Sequence, residues 1–207
     1  MEFAGWLLAS YLLGAIPTSY LVGRIFRGID LRQHGSRNLG ATNLYRIMGW
    51  KYAVPVGLVD VAKGVVPVVL FGRMIPAVPL FPVYCGVAAV LGHVFSIFVG
   101  FKGGKGVATA AGVVLGLAPF ALLAVVAVWV VVVKLSGYVS LGSVLASALF
   151  PVAAVLLNPN RPEPLWFDIA LALFLVVKHR GNIQRLIDGT ENRFGASRGR
   201  PTPTTSS

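Results

Sequence analysis

The sequence predicts an all-α integral membrane protein of about seven transmembrane helices, and three observations carry that prediction. Hydrophobic residues make up 56% of the 207-residue chain and charged residues only 12%, about half the charged share of a soluble domain. A mean hydropathy of +0.78 describes more apolar surface than a water-soluble core of this size can hide. The apolar residues also fall in continuous runs with no strand-like alternation. Only helices and closed barrels satisfy the backbone in lipid, so helices are expected.

Seven apolar segments follow in order, at about 3–24, 52–72, 79–98, 105–117, 119–135, 139–157 and 165–178. The first follows Met1-Glu2-Phe3 with no basic region, which reads as a retained span rather than a cleaved signal. The second carries Asp60 and Lys63 at i and i+3, where they can pair across one turn and lower the cost of burying each charge. The third holds Cys85, the single cysteine, so no internal disulfide can form. The fourth and seventh are shorter than the roughly 20 residues of a full crossing, and read as half-helices or tilted pieces. Pro119 separates the fourth from the fifth, because proline breaks a continuous helix. The sixth opens on Ser140, Gly142 and Ser143, hydroxyls and small residues that suit either a phosphate site or close helix packing. The tail from Gly195 reads as disordered, giving a single membrane-embedded domain over 1–194 and a cytoplasmic tail over 195–207.

Charge sets the expected orientation. With the N-terminus outside and every segment crossing, 15 of the 18 Lys and Arg fall on the inner face and only Arg73 and Arg161 on the outer. The positive-inside rule selects that arrangement and puts the C-terminus in the cytoplasm. The net charge of +11 does not point to nucleic acid, because the aromatics lie in apolar runs and are not interleaved with the basic residues. Anionic headgroups and phosphorylated small molecules are the better partners.

The same orientation puts three polar segments on one face, each with one of the three histidines. The first is His34-Gly35-Ser36-Arg37-Asn38-Leu39-Gly40-Ala41-Thr42-Asn43, followed by Arg46. Its glycines permit close backbone approach, its Ser, Thr and Asn supply donors, and a helix starting near Asn38–Ala41 would aim free N–H groups at an anion. The second runs from Gly92-His93 to Gly100-Phe101-Lys102-Gly103-Gly104-Lys105-Gly106. It is not a P-loop, since Gly106 follows Lys105 where Ser or Thr is required. It still reads as a phosphate cradle, with two lysines for charge and Gly103, Gly104 and Gly106 freeing backbone N–H groups. The third is His179-Arg180-Gly181-Asn182-Ile183-Gln184-Arg185-Leu186-Ile187-Asp188-Gly189-Thr190-Glu191-Asn192-Arg193. His179 and Asn182 share a helical face, while Ile183, Leu186 and Ile187 suggest an amphipathic helix lying on the membrane.

These three segments, in this order, resemble the acyl-phosphate-dependent glycerol-3-phosphate acyltransferases of bacteria, the PlsY family, over residues 1 to about 195. Arg37 stands where that family often has glycine, and Arg193 where lysine is common. The resemblance implies transfer of a fatty acyl group from acyl phosphate to the 1-hydroxyl of sn-glycerol 3-phosphate, giving lysophosphatidate and phosphate. By position it places Ser36, Lys105, His179 and Asn182 in catalysis, and Arg46, Asn43, Ser143, Gly103, Gly104, Gly106 and Glu191 in substrate binding, with Glu191 bracing the loops. It further implies a bacterial inner-membrane protein, monomeric, with its site on the cytoplasmic side. The donor is already a mixed anhydride, so neither nucleotide nor coenzyme A is expected, and no cluster of carboxylates suggests a metal. The His-x4-Asp pair of coenzyme-A-dependent acyltransferases is absent, as is any Ser-His-Asp arrangement. A substrate phosphate oxygen is therefore the expected proton acceptor.

Two rival readings differ in where they put polar residues. An organic-phosphate transporter would spread them toward both faces, whereas the outer face is nearly bare here. A lipid-binding scaffold would have no use for the glycine-lysine segment.

Overall fold

The computed structural model describes residues 1–194, and all regular structure in them is helical. The tail expected to be disordered, 195–207, lies outside the described residues. Ten α-helices are present among those described: α1 Glu2–Ala15, α2 Thr18–Arg27, α3 Ala41–Met48, α4 Trp50–Val69, α5 Phe81–Val94, α6 Val107–Leu117, α7 Pro119–Ser136, α8 Val139–Leu157, α9 Leu165–Lys178 and α10 Arg180–Ile187. Five stretches are long and apolar enough to cross a membrane: 2–27, 50–73, 81–99, 119–136 and 139–157. At 11 and 14 residues, α6 and α9 span only about 16 and 21 Å, against a hydrocarbon core of about 30 Å.

The first apolar segment is broken where a single helix was expected. Pro17 lacks an N–H and cannot continue α1, so the chain turns at Ile16 before α2 begins. The turn leaves the Ile16 carbonyl without a helical partner, and Lys63 from α4 caps it at 2.6 Å. The same ammonium donates to Thr18 Oγ1 and, at 2.7 Å, to Asp60 Oδ1. Both charged residues are fully buried. The i,i+3 pair read from sequence is present, and its task is to close a helix break that the sequence reading had missed.

Helices meet backbone to backbone at glycine. A Cβ on Gly112 of α6 would sit 1.9 Å from the Val61 carbonyl oxygen of α4, and one on Gly64 of α4 would sit 2.0 Å from that of Thr109. Gly14 and Gly92 make the matching close contact between α1 and α5. In lipid there is no hydrophobic force between helices, so such close dispersion contacts hold them together. Around these seams a core of Val68, Val90, Val113, Val114, Phe150, Phe167 and Leu171 joins α4, α5, α6, α8 and α9. Leu58, Leu123, Leu156 and Leu173 point outward, as side chains facing acyl tails should. A second cluster of Leu31, Leu39, Leu44, Met48, Val56 and Val99 anchors the 28–48 region at one end of the bundle.

At the 158–164 connection, Arg161 pairs with both oxygens of buried Asp168 at the start of α9. That carboxylate also sits well at a helix N-terminus.

The glycine seam can be tested directly. Gly112→Ala should destabilise the protein by about 1–3 kcal/mol through overpacking, read as a lower midpoint of thermal unfolding in detergent. Gly5→Ala, where a Cβ meets nothing within 4 Å, should leave the midpoint unchanged or slightly raised.

Candidate active site

The 28–40 loop is shaped by two side chains. Asp30 accepts from the Arg32 amide at 2.9 Å and from its guanidinium at 2.7 Å. Those Arg32 hydrogen bonds outweigh burial and hold its carboxyl down at about 2. Asn43, on α3 and 1% exposed, accepts from the Ser36 N–H at 2.9 Å and donates to the carbonyls of Leu31, His34 and Asn38 at 3.0–3.3 Å. Its amide thereby ties the loop together and holds Ser36, and Asn43 also stands on the wall of the cavity between these segments. His34 bonds back to the Asp30 carbonyl through Nδ1 at 2.9 Å and is not on the cavity wall.

The glycine-lysine segment also differs from expectation. The Gly103 N–H donates to the Val94 carbonyl at 3.0 Å and the Gly104 N–H to that of His93 at 3.1 Å. A Cβ on Gly103 would lie 2.0 Å from the His93 carbonyl oxygen, and one on Gly104 2.1 Å from His93 Nε2. These two glycines let the loop lie against the end of α5, and their amides are not free for phosphate. Gly106, at φ +87°, begins α6 and lines the cavity. The folded-back loop thus delivers Lys105 to the cavity wall.

The third segment supplies the brace. Glu191 accepts from Ser140 Oγ at 2.9 Å, from Asn182 Nδ2 at 2.7 Å and from Arg185 Nε at 2.7 Å. Asn182 in turn accepts from Lys105 Nζ through Oδ1. Burial pushes the Glu191 carboxyl up, but the bonds from Asn182, Ser140 and Arg185 outweigh it and hold the group below its ordinary value. Arg46 of α3 reaches the same segment and donates to the Asn192 carbonyl at 3.4 Å. Three segments far apart in sequence are therefore tied at one end of the bundle. Arg185, the charged partner of Glu191, was not singled out from the sequence, because their separation of six residues is no helical contact spacing.

Between these segments lies a cavity of about 450 Å³. Its polar end is walled by Ser36, Arg46, Lys105, Ser143, His179, Asn182 and Glu191, together with Asn38, Thr42 and Asn43 of the first polar segment. Its other end runs between Val114, Leu122, Val125, Phe150, Leu171 and Leu175, inside the apolar bundle. Trp129 of α7, also on the wall, donates through Nε1 to Ser143 Oγ at 3.3 Å, and Ser143 donates to the Val139 carbonyl at 2.9 Å.

Charge at the polar end is unbalanced. Burial lowers Lys105 to about 8; Glu191 opposes the shift, and Arg185, Arg46 and Lys178 reinforce it. His179 is lowered as well, chiefly by burial, against the raising effect of its backbone bond to Leu175. Its Nδ1 lies 2.8 Å from the Leu175 carbonyl. A carbonyl can only accept, so Nδ1 carries the hydrogen and Nε2 keeps a lone pair. The site thus offers cations for phosphate and, in His179, a neutral imidazole acceptor, next to an apolar cleft.

Comparison with known proteins shows the family. The family model described as glycerol-3-phosphate acyltransferase matches residues 4–189. The chain is 46% identical to the glycerol-3-phosphate acyltransferase of Trichlorobacter lovleyi, covering 92% of this chain and 97% of that one. It is also 46% identical to the enzyme of that name from Geobacter sulfurreducens, over 90% and 95% of the two chains. Among solved structures it resembles the crystal structure of PlsY (YgiH), an integral membrane glycerol 3-phosphate acyltransferase, in its glycerol 3-phosphate form, with TM-score 0.86, 36% identity and coverage of 94% and 96%. The lysophosphatidic acid form of that protein gives TM-score 0.84 at 35% identity over the same shares. With its helical membrane fold, its braced cationic site and a family match over nearly its whole described length, this chain belongs to the glycerol-3-phosphate acyltransferase family.

Proposed function

We propose that this chain transfers a fatty acyl group from acyl phosphate to the 1-hydroxyl of sn-glycerol 3-phosphate, releasing lysophosphatidate and inorganic phosphate. One observation carries the reading: a single cavity joins a cationic end, built from three polar segments, to an apolar end within the helix bundle. A water-soluble phosphate ester and a lipid-tailed donor need those two environments side by side.

The reaction assigns roles to the walls. Arg46, Lys105, Ser36 and Asn182 hold phosphate oxygens, with Ser143 joining when its hydroxyl turns from Val139. Gly106 admits the donor's phosphate, while Gly103 and Gly104 act by holding the loop that carries Lys105. His179 Nε2 accepts the hydrogen bond of the attacking hydroxyl and aims it. The hydroxyl oxygen attacks the acyl carbonyl carbon and the carbon–oxygen bond to phosphate breaks. The leaving phosphate keeps the electron pair, and the hydroxyl proton shifts from its hydrogen bond with His179 Nε2 to a phosphate oxygen as that bond breaks. Positioning and cationic stabilisation of the departing charge supply the acceleration.

The same reading places α1 with α2, α4, α5, α6, α7, α8 and α9 as seven membrane-embedded helices of one unit over 1–194. The N-terminus is outside and the site faces the cytoplasm at the bacterial inner membrane. Support comes from the 15 cations that this orientation places inside. Every side chain in the proposed mechanism comes from one chain, as a monomeric enzyme requires.

Three outcomes test it. Purified protein given acyl phosphate and labelled glycerol 3-phosphate, without metal or coenzyme A, should form labelled lysophosphatidate; activity only with acyl-coenzyme A would overturn the donor. His179→Gln keeps a hydrogen-bond acceptor but cannot serve as a base. It should cost about tenfold in kcat if the imidazole only orients the hydroxyl, whereas a loss of about 10³-fold or more at unchanged KM would make His179 the base. Lys105 is charged below about 8 and neutral above it, so kcat/KM for glycerol 3-phosphate should decline as pH rises through that value. The decline should approach tenfold per pH unit, and Lys105→Met, with no charge to lose, should abolish the break.

A further inference from the structure

Beside the reaction cavity lies a second one of about 330 Å³. Ser36, Asn38, Lys105 and Asn182 line both, so they form the wall between them. The remainder of the second cavity is lined by Arg37, Lys178, Arg180 and Arg185 with Val177 and Gly181, and it contains no Asp or Glu. Two of these cations are engaged: Arg185 pairs with Glu191, and the Lys178 ammonium sits 5.0 Å from the centroid of the Phe95 ring. Arg37 and Arg180 are exposed, and neither forms an ion pair with any of the described residues.

The backbone at Arg37 makes the arrangement more telling. Its N–H closes a turn onto the His34 carbonyl at 3.0 Å, and its φ is +59°, in the left-handed region that favours glycine. The turn asks for glycine, and the chain presents a guanidinium there instead. Arg37, Lys105, Lys178 and Arg180, together with the Glu191-paired Arg185, crowd like charge around one small cavity, and a doubly charged anion relieves that repulsion.

We infer that this second cavity is an outer capture site for free phosphate monoesters. It draws glycerol 3-phosphate from water, passes it across the Lys105–Asn182 wall to the reaction centre, and receives the phosphate released. The inference rests on the function proposed above and adds an electrostatic route to it. Its chemistry could also suit the phosphate of a lipid headgroup, so the test separates the two sources.

The full-length protein in phosphatidylcholine vesicles is compared with Arg37→Gly and with Arg37→Gly/Arg180→Gln. The first variant supplies the residue that the turn favours, so folding is not at risk. At low salt the double variant should lose about tenfold in kcat/KM for glycerol 3-phosphate, carried by KM, with kcat within about twofold. At about 1 M salt, where the screening length falls to about 3 Å, the proteins should converge. Equal kcat/KM at low salt would overturn the proposal. So would a difference seen only after roughly one-third phosphatidylglycerol is added to the vesicles, which would assign the cations to lipid headgroups. Calorimetric titration with inorganic phosphate reads the site without turnover. Wild type should bind more tightly than the double variant, and identical isotherms would overturn the capture site whether or not the chain proves to be an acyltransferase.

Discussion

The site depends on one buried carboxylate. Glu191 receives hydrogen bonds from Ser140 on α8 and from Asn182 and Arg185 on α10, and Asn182 passes that constraint on to Lys105. Arg46, Lys105 and Arg185 would otherwise repel one another in a region of low dielectric, and this anion lets them stand together before any phosphate arrives. Donors fixed in advance need not reorganise when charge develops on a leaving group, which is where electrostatic catalysis gains most. Glu191 is best understood as a positioning residue, since it acts through the groups it holds.

Lipid imposes the matching constraint on the scaffold. Lipid offers a backbone no water to bond, so a broken helix must find its partner within the protein. The break at Pro17 leaves a carbonyl that Lys63 caps, and Lys63 is neutralised by Asp60. His93 connects this cluster to the active loop: its Nδ1 lies 3.9 Å from Asp60, and its backbone carbonyl receives the Gly104 N–H. Helices that touch through Gly64, Gly112, Gly14 and Gly92 give that loop an unyielding base. A cavity with one polar and one apolar end needs such a base, because its two substrates must meet at a fixed boundary.

Residue roles proved harder to read than residue positions. Gly103 and Gly104 stand out in the sequence, yet the chemistry assigned to them was that of an open loop. In a loop folded against α5, the amides of Gly103 and Gly104 are already donated, and the glycines permit contact with His93. Asn43 likewise closes its own loop. A free N–H and a satisfied one look identical in sequence, since the difference is an acceptor supplied from elsewhere in the chain. Arg185 escaped notice for the same reason: its partner Glu191 lies past a turn, where no local periodicity applies.

The sequence by itself determined the solvent, the helical class, most helix positions and the three polar segments. Each of these follows from composition, apolar run length or local motif, and none needs a distant partner. Tertiary structure decided the rest. It broke the first apolar segment at Pro17, gave Lys63 a carbonyl to cap, turned two cradle glycines into packing glycines and left Asn182 and Lys105 facing both cavities. Those outcomes depend on which donors and acceptors meet across long stretches of chain, and a buried polar group takes its role from the partner it finds.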